Sequence, residues 1–126
     1  MAKKILLIDD DYDFLVATRT MVESSGYSAE TAENADDGLE KARKGKPDLI
    51  VLDVMMPGMD GWEACEILKS TPETQDIPII MLTAVASKVK ETGYSHQSGK
   101  QTSADDYLPK PVEIPDLIAR IKRLLK

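Results

Sequence analysis

The sequence predicts an α/β fold in which helices cover both faces of a five-stranded parallel sheet, a three-layer, doubly wound arrangement. Three observations support this fold class. The apolar runs Ile5–Ile8, Leu49–Leu52 and Ile79–Leu82 are continuous, as in strands that are buried on both faces. Segments of helical periodicity lie between these runs. The length of 126 residues suits one domain with one core, so residues 1–126 are predicted to form one domain.

Two weaker apolar segments complete the predicted set of strands. Ser28–Ala32 lies between the first two helical patterns, and 106–108 precedes the last one. Strands that alternate with helices in this way pair in parallel, and right-handed crossovers leave few topologies open.

The first helix is predicted to begin at an N-cap, Asp13, and to end at Gly26. The side chains of its predicted inward face are spaced at i, i+4, i+7 and i+8, and they are Phe14, Thr18, Met21 and Val22.

Three further helices follow from capping residues and apolar spacing. Asn34 can cap the second, which ends at Gly45. The third ends before Pro72. The apolar positions that face inward are predicted to be Leu39 and Ala42 in the second helix, Trp62, Cys65 and Leu68 in the third, and Leu117, Ile118, Ile121, Leu124 and Leu125 in the last.

The composition argues against several functional classes. A net charge of −6 and a pI near 4.8 make direct binding to nucleic acid or to an anionic membrane unfavourable. No apolar stretch approaches the roughly 20 residues of a membrane span. The single cysteine, Cys65, allows no internal disulfide and is predicted to lie in the core. A cytoplasmic protein is therefore expected.

Polar residues stand where the predicted strands end. Asp9 and Asp10 follow the first strand, and Asp53 and Thr83 end the third and fourth. Lys110 follows the fifth. Parallel strands place these ends at one edge of the sheet, where ligands of such folds bind. The predicted site therefore combines three carboxylates, a hydroxyl and an ammonium.

Three neighbouring carboxylates repel one another, so a compensating cation is expected. Oxygen ligands suit a hard ion such as Mg²⁺, and the lysine adds a mobile positive charge. Together they suit the transfer of a phosphoryl group to a carboxylate. Each residue alone has an ordinary interpretation as a turn, a helix cap or a surface lysine. A calcium loop starting at Asp9 is excluded, because Phe14 stands where that loop needs Gly and Thr20 where it needs Glu.

Four segments together resemble the receiver domain of bacterial two-component response regulators, and they extend over nearly the whole chain: Ile5–Asp11 (ILLIDDD), Asp53–Gly61 (DVMMPGMDG), Leu82–Ala84 (LTA) and Asp105–Pro111 (DDYLPKP). The resemblance implies a flavodoxin-like sheet of order 2-1-3-4-5. It also implies a phosphoacceptor that assists its own phosphorylation and dephosphorylation, rather than an enzyme acting on a separate substrate.

The resemblance also implies roles for individual residues. Asp53 would accept a phosphoryl group from a sensor histidine kinase or phosphotransfer protein and thereby signal to an output domain or effector protein. Asp10 would bind Mg²⁺ directly, Asp9 mainly through a water and Met55 through its carbonyl, and Asp53 would be a further member of the metal site. The residues that would hold the phosphoryl oxygens are Thr83, the amide of Ala84, and Lys110, whose bond to Pro111 would be cis. Tyr107 would be an aromatic switch coupled to Thr83.

The sequence departs from the family pattern between Thr83 and Lys110, where the chain is several residues longer than usual. Ser103 stands where a Gly is usual. A short or irregular fourth helix is expected in 86–103, and Thr92–Ser103 is expected to be the most mobile segment because it is poor in apolar residues. The departure falls on the face that receivers generally use for output.

Three other functions fit the sequence less well. A phosphatase of the haloacid dehalogenase type needs Asp-x-Asp-x-Thr/Val after the first strand, and Asp11–Leu15 does not fit. A flavin carrier of the flavodoxin type would bring a phosphate against three aspartates. A receiver that has lost its chemistry would lack some of the site residues. The sequence leaves open whether the domain acts alone or within a longer regulator.

Overall fold

The structure is a computed structural model that describes residues 2–83 and 104–125. Five parallel strands form one sheet in the order β2-β1-β3-β4-β5, which confirms the predicted fold class. The elements within these two ranges are β1 (Lys4–Ile8), α1 (Tyr12–Ser24), β2 (Ser28–Ala32), α2 (Ala35–Gly45), β3 (Leu49–Asp53), α3 (Gly61–Ser70), β4 (Ile79–Thr83), β5 (Asp106–Pro109) and α4 (Ile114–Leu124).

Two predictions lie outside the described residues. One is the short or irregular fourth helix in 86–103, and the other is the mobility of Thr92–Ser103. The label α4 therefore denotes the last helix of the chain. No helix in residues 2–83 or 104–125 is both long and apolar enough to cross a membrane.

The central strands are buried on both faces, which explains their continuous apolar sequences. Every residue of β3 and β4 is buried, and so are the last four residues of β1. One face of the sheet packs against α2 and α3 through Leu6, Ile50 and Met81. The other face packs against α1 and α4 through Leu7, Val51 and Leu82. Cys65 is buried in the first of these layers, as expected.

The start of α1 differs from the prediction. The N-cap is Asp11, whose Oδ1 accepts a hydrogen bond from the amide of Phe14 at 3.1 Å. Asp13 instead lies in the first turn, where its negative charge interacts favourably with the helix dipole. The predicted cap of α2 is confirmed, because Asn34 accepts a hydrogen bond from the amide of Asp37 at 2.7 Å.

The buried stripe of α1 is also shifted from the predicted one. It consists of Leu15, Thr18 and Val22, whereas Met21 is 40% exposed. At 100° per residue, Met21 stands about 90° away from the axis of this stripe. In α4 the predicted inward residues Leu117, Ile118 and Ile121 are buried. Leu124 and Leu125 are half-buried against the same cluster.

Thr18 provides the first testable prediction, because its hydroxyl is fully buried and finds no hydrogen-bond partner within residues 2–83 and 104–125. Thr18→Val is expected to raise the free energy of unfolding by about 1 kcal/mol, since a buried hydroxyl without a partner carries a desolvation penalty. Urea denaturation measures this difference. The matched control is Thr74→Val, which removes a buried hydroxyl that donates to the carbonyl of Leu68 at 2.6 Å and should destabilise. A loss of stability in both variants would contradict the prediction.

Candidate functional site

The carboxyl ends of β1 and β3 bring three aspartates together. Asp9 follows β1, Asp53 is the last residue of β3, and one carboxylate oxygen from each of Asp9, Asp10 and Asp53 lies within 4.8 Å of the others. Asp9 is 1% and Asp53 0% exposed, whereas Asp10 is exposed. The predicted acidic cluster is therefore present, with two members inside the protein and one facing solvent.

The buried aspartates are only partly satisfied by hydrogen bonds. Asp9 Oδ1 accepts from the amide of Asp11 at 3.0 Å, and Asp53 Oδ1 accepts from the amide of Met55 at 3.4 Å. Their Oδ2 atoms are buried and accept no hydrogen bond from the part of the chain that the structure describes. Buried carboxylate oxygens that accept no hydrogen bond, beside a third carboxylate, form a set of oxygen ligands that fits a hard cation.

Lys110 supplies the positive charge of the site. Its Nζ lies 3.0 Å from Asp53 Oδ1 and 3.4 Å from Asp9 Oδ2, and it stands 5.9 Å from the centre of the Phe14 ring. The backbone amide of Lys110 donates to the carbonyl of Thr83 at 2.7 Å, which fixes the end of β5 to the end of β4. The bond from Lys110 to Pro111 is cis, as the family resemblance implies.

Burial and charge shift the pKa values of these groups. Burial is the main cause that raises the pKa of Asp9 to about 6, and the negative charge of Asp53 adds to it. Burial also raises the pKa of Asp53, although the nearby Lys110 ammonium opposes the shift. Burial alone would lower the pKa of Lys110, but the Asp53 and Asp9 carboxylates outweigh it and raise this pKa. Protons therefore bind the metal-free cluster more readily than they bind exposed aspartates.

The remaining predicted site residues lie around this cluster. Thr83 is 8% exposed and is the last residue of β4, directly after Leu82, which is the register partner of Asp53 in β3. The side chain of Met55 is 63% exposed. Tyr107 shares a sheet face with Thr83 by register, and its ring centre lies 6.1 Å from that of Trp62. Ala84, whose amide was predicted to hold a phosphoryl oxygen, lies outside the described residues.

Sequence reasoning missed two contributors to the site. Phe14 was predicted only as a core residue, yet its ring lies beneath the Lys110 ammonium. The sequence marks Asp11 only as part of an acidic run, yet its amide donates a hydrogen bond to Asp9. The aspartate run would have indicated the second contact, since an Asp side chain commonly accepts from the amide two residues on. Nothing in the sequence pairs Phe14 with Lys110.

Comparison with known proteins agrees with this geometry. The sequence model of the response regulator receiver domain family matches residues 5–122. Among curated proteins, the chain is 41% identical over 123 residues to the response regulator MprA of Mycobacterium leprae, covering 98% of this chain and 51% of that protein. It is 39% identical over 126 residues to the MprA of Mycobacterium bovis, covering 100% of this chain and 52% of that one. The chain thus spans about half the length of these curated relatives.

Solved structures give the same answer at the level of the fold. The chemotaxis protein CheY4 of Vibrio cholerae matches with a TM-score of 0.87 and 31% identity, covering 99% of this chain and 100% of that one. A CheY-like receiver domain protein of Methanospirillum hungatei matches with a TM-score of 0.84 and 34% identity, covering 99% and 94%. On its sequence, its sheet order and these relatives, the chain belongs to the receiver domain family of response regulators in two-component signalling.

Proposed function

We propose that this chain, residues 1–126, is a phosphoacceptor domain in which Mg²⁺-dependent phosphoryl transfer to Asp53 switches a surface that a downstream output domain or effector protein reads. The observation that carries the proposal is the fully buried Asp53 carboxylate, paired at 3.0 Å with the Lys110 ammonium and clustered with Asp9 and Asp10. A buried, partly unsatisfied carboxylate between opposite charges is poised to act on a ligand rather than to stabilise the fold.

The proposed transfer is a nucleophilic substitution at phosphorus. A carboxylate oxygen of Asp53 forms a bond to phosphorus while the bond from phosphorus to the leaving group breaks. In a sensor histidine kinase or phosphotransfer protein that bond is the P–N bond of phosphohistidine, and the departing imidazole nitrogen takes a proton. In acetyl phosphate it is a P–O bond, and acetate leaves. The product is an acyl phosphate on Asp53.

The other site residues stabilise the charge on the transferred group. Asp9 and Asp10, with the Met55 carbonyl, are proposed to hold Mg²⁺, which when bound would neutralise phosphoryl oxygens. Lys110 would pair with a further oxygen, and its reach to Asp53 is supported by the 3.0 Å separation. The Thr83 hydroxyl and the Ala84 amide are proposed as hydrogen-bond donors to the same group.

The switch is proposed to involve Thr83 and Tyr107. A phosphoryl group that engages the Thr83 hydroxyl would favour one position of this residue, and the Tyr107 ring would respond because it shares the sheet face.

Phosphorylation and dephosphorylation are proposed as self-assisted chemistry on the domain's own aspartate, not as turnover of a separate substrate. We place the domain in the cytoplasm, where a histidine kinase finds its ATP, and expect neither nucleic acid nor a membrane to bind it directly.

Acetyl phosphate provides a direct test of this function. The wild-type chain is expected to gain one acid-labile phosphoryl group with Mg²⁺ present, and none when EDTA replaces the metal. Intact mass measured at neutral pH and after acid treatment gives both quantities. The absence of any adduct in Mg²⁺, from acetyl phosphate and from a panel of phosphorylated histidine kinases alike, would exclude the phosphoacceptor role.

Lys110 should compete with the metal for the carboxylates. Lys110→Ala is expected to raise Mg²⁺ affinity several-fold, because it removes the ammonium group that competes with the metal for the Asp53 and Asp9 carboxylates. The same change should lower the stability of the metal-free domain by about 1–3 kcal/mol, because two buried carboxylates lose their partner. Isothermal titration with Mg²⁺ and urea denaturation in EDTA measure the two effects.

Lys69→Ala is the matched control for this variant. Lys69 is also a largely buried lysine, and it pairs with Asp105 at 3.4 Å. Its removal should cost stability without changing Mg²⁺ affinity. A fall in Mg²⁺ affinity in Lys110→Ala would contradict the competition and indicate that Lys110 holds the metal site in shape.

A further inference from the structure

The first residue of α3 lies against the backbone of the phosphoacceptor strand. A methyl group built at Gly61 would stand 2.3 Å from the carbonyl oxygen of Asp53, 2.7 Å from Cα of Val54 and 2.9 Å from the carbonyl carbon of Asp53. Ordinary contacts between such atoms begin near 3.4 Å. Only a residue without a side chain therefore fits at this position, and the reason is space rather than backbone conformation.

The peptide that joins Asp53 to Val54 is held on several sides. Its N–H, on Val54, donates to the carbonyl of Leu82 in β4 at 3.0 Å, and its carbonyl oxygen faces Gly61. The next carbonyl, that of Val54, accepts from the amide of Gly61 at 2.8 Å. The first turn of α3 is thus hydrogen-bonded to the residue directly after Asp53, and it lies against the Asp53 carbonyl group.

We propose that Gly61 is a positioning residue for Asp53: its missing side chain lets α3 start directly on the Asp53–Val54 peptide and thereby fixes the direction of the Asp53 carboxylate. The inference rests on the proposed phosphoacceptor function. β3 is a central strand paired with β1 and β4, so it cannot move away as a whole. A side chain at position 61 would instead have to rotate this peptide or displace the start of α3. The combined displacement of these atoms would be about 1 Å.

Gly38 provides a matched control within the same fold. It lies in the first turns of α2, and a methyl group there would stand 2.5 Å from Cδ1 and 2.8 Å from Cγ1 of Ile8. Those atoms belong to a side chain that can change rotamer, whereas the atoms at Gly61 belong to the backbone of the site. Both alanine variants should lose stability, but only Gly61→Ala should disturb Asp53.

The main experiment compares Gly61→Ala and Gly38→Ala in the intact chain. Gly61→Ala is expected to slow phosphoryl uptake at saturating acetyl phosphate by roughly ten- to a hundredfold, because an error near 1 Å in a reacting group has that effect. The donor concentration for half-maximal rate should change little. Gly38→Ala should keep the wild-type rate even if it is equally destabilised in urea.

A second readout does not depend on phosphorylation. In ¹⁵N-resolved NMR spectra of the metal-free protein, Gly61→Ala should shift the Val54 amide resonance and speed its hydrogen exchange, since its bond to Leu82 is disturbed. Gly38→Ala should leave that amide as in wild type. An unchanged Val54 amide, or a wild-type uptake rate in folded Gly61→Ala, would overturn the positioning role. Absence of uptake in the wild type would overturn the phosphoacceptor proposal instead, and the amide readout would still decide the role of Gly61.

Variants at the preceding residue keep the test decisive if Gly61→Ala does not fold. Asp60 caps α3 by accepting from the amide of Glu63 at 2.9 Å, and Asp60→Ala should loosen the first turn. It should slow phosphoryl uptake more than Asn34→Ala, which removes the corresponding cap of α2. Asp60→Asn, which can still cap, should restore the rate. Equal rates in Asp60→Ala and Asn34→Ala would overturn the inference.

Discussion

Asp53→Asn is expected to abolish phosphoryl uptake from acetyl phosphate completely. The amide that replaces the carboxylate is not a nucleophile, and Asp53 Oδ1 is the carboxylate oxygen in closest contact with Lys110, at 3.0 Å. The loss should not reflect unfolding. Replacing a fully buried charge by an amide of the same shape removes a desolvation penalty, so the variant should be at least as stable as wild type in EDTA at pH 7.

Intact mass after incubation with acetyl phosphate and Mg²⁺ measures this result. Asp48→Asn is the control, because it removes one negative charge at the opposite end of the strands from Asp53. There the Asp48 carboxylate accepts a hydrogen bond from the amide of Lys4. That variant should be phosphorylated as fully as wild type. An adduct of wild-type extent on Asp53→Asn would mean that another residue is the acceptor.

The second large effect is a pH dependence of stability that runs opposite to ordinary acid denaturation. In the folded state, burial is the main cause that raises the pKa of Asp9 from its ordinary value near 3.8 to about 6. Between these values the folded state binds a proton that the unfolded state has released. Asp9 therefore makes its full contribution to the free energy of unfolding below pH 4. As the pH rises through 6 this contribution is lost, and the free energy of unfolding falls by up to about 3 kcal/mol.

Urea denaturation in EDTA from pH 4.5 to 7.5 isolates this contribution when wild type is compared with Asp9→Asn. The variant should be more stable than wild type at pH 7, and the advantage should shrink toward pH 4.5. Asp48→Asn removes an exposed charge at the other end of β3 and should keep the wild-type slope. A difference between wild type and Asp9→Asn that is constant with pH would contradict the assignment.

The fold was predictable because its central strands are covered on both faces. Burial on both sides leaves no polar alternation, so the runs around Ile5, Leu49 and Ile79 read directly as strands. Details of α1 were predicted less well. Several aspartates stand at the start of this helix. Propensity alone does not say whether Asp11 or Asp13 provides the cap.

The members of the site were predictable, but the energetic differences among them were not. Asp9 and Asp10 are identical in chemistry and adjacent in sequence, yet one is buried and the other exposed. That difference follows from the alternation of side chains at the end of a strand, which needs the register of β1 against its neighbours. The close approach of Gly61 to Asp53 likewise depends on where α3 sits on the sheet, and local sequence carries no signal for it.

The order of strands in the sheet has a consequence for how the domain folds. Ile5 pairs with Leu49 and Ile50 with Ile79, so these neighbouring strands are joined only after the chain between them has closed. Parallel sheets of this kind have mostly non-local contacts and fold more slowly than helical bundles. Asp9 and Asp53 meet only when β1 and β3 are paired. A cation bound there therefore stabilises the native state and slows its unfolding, and it can speed folding only if that pair has already formed in the transition state.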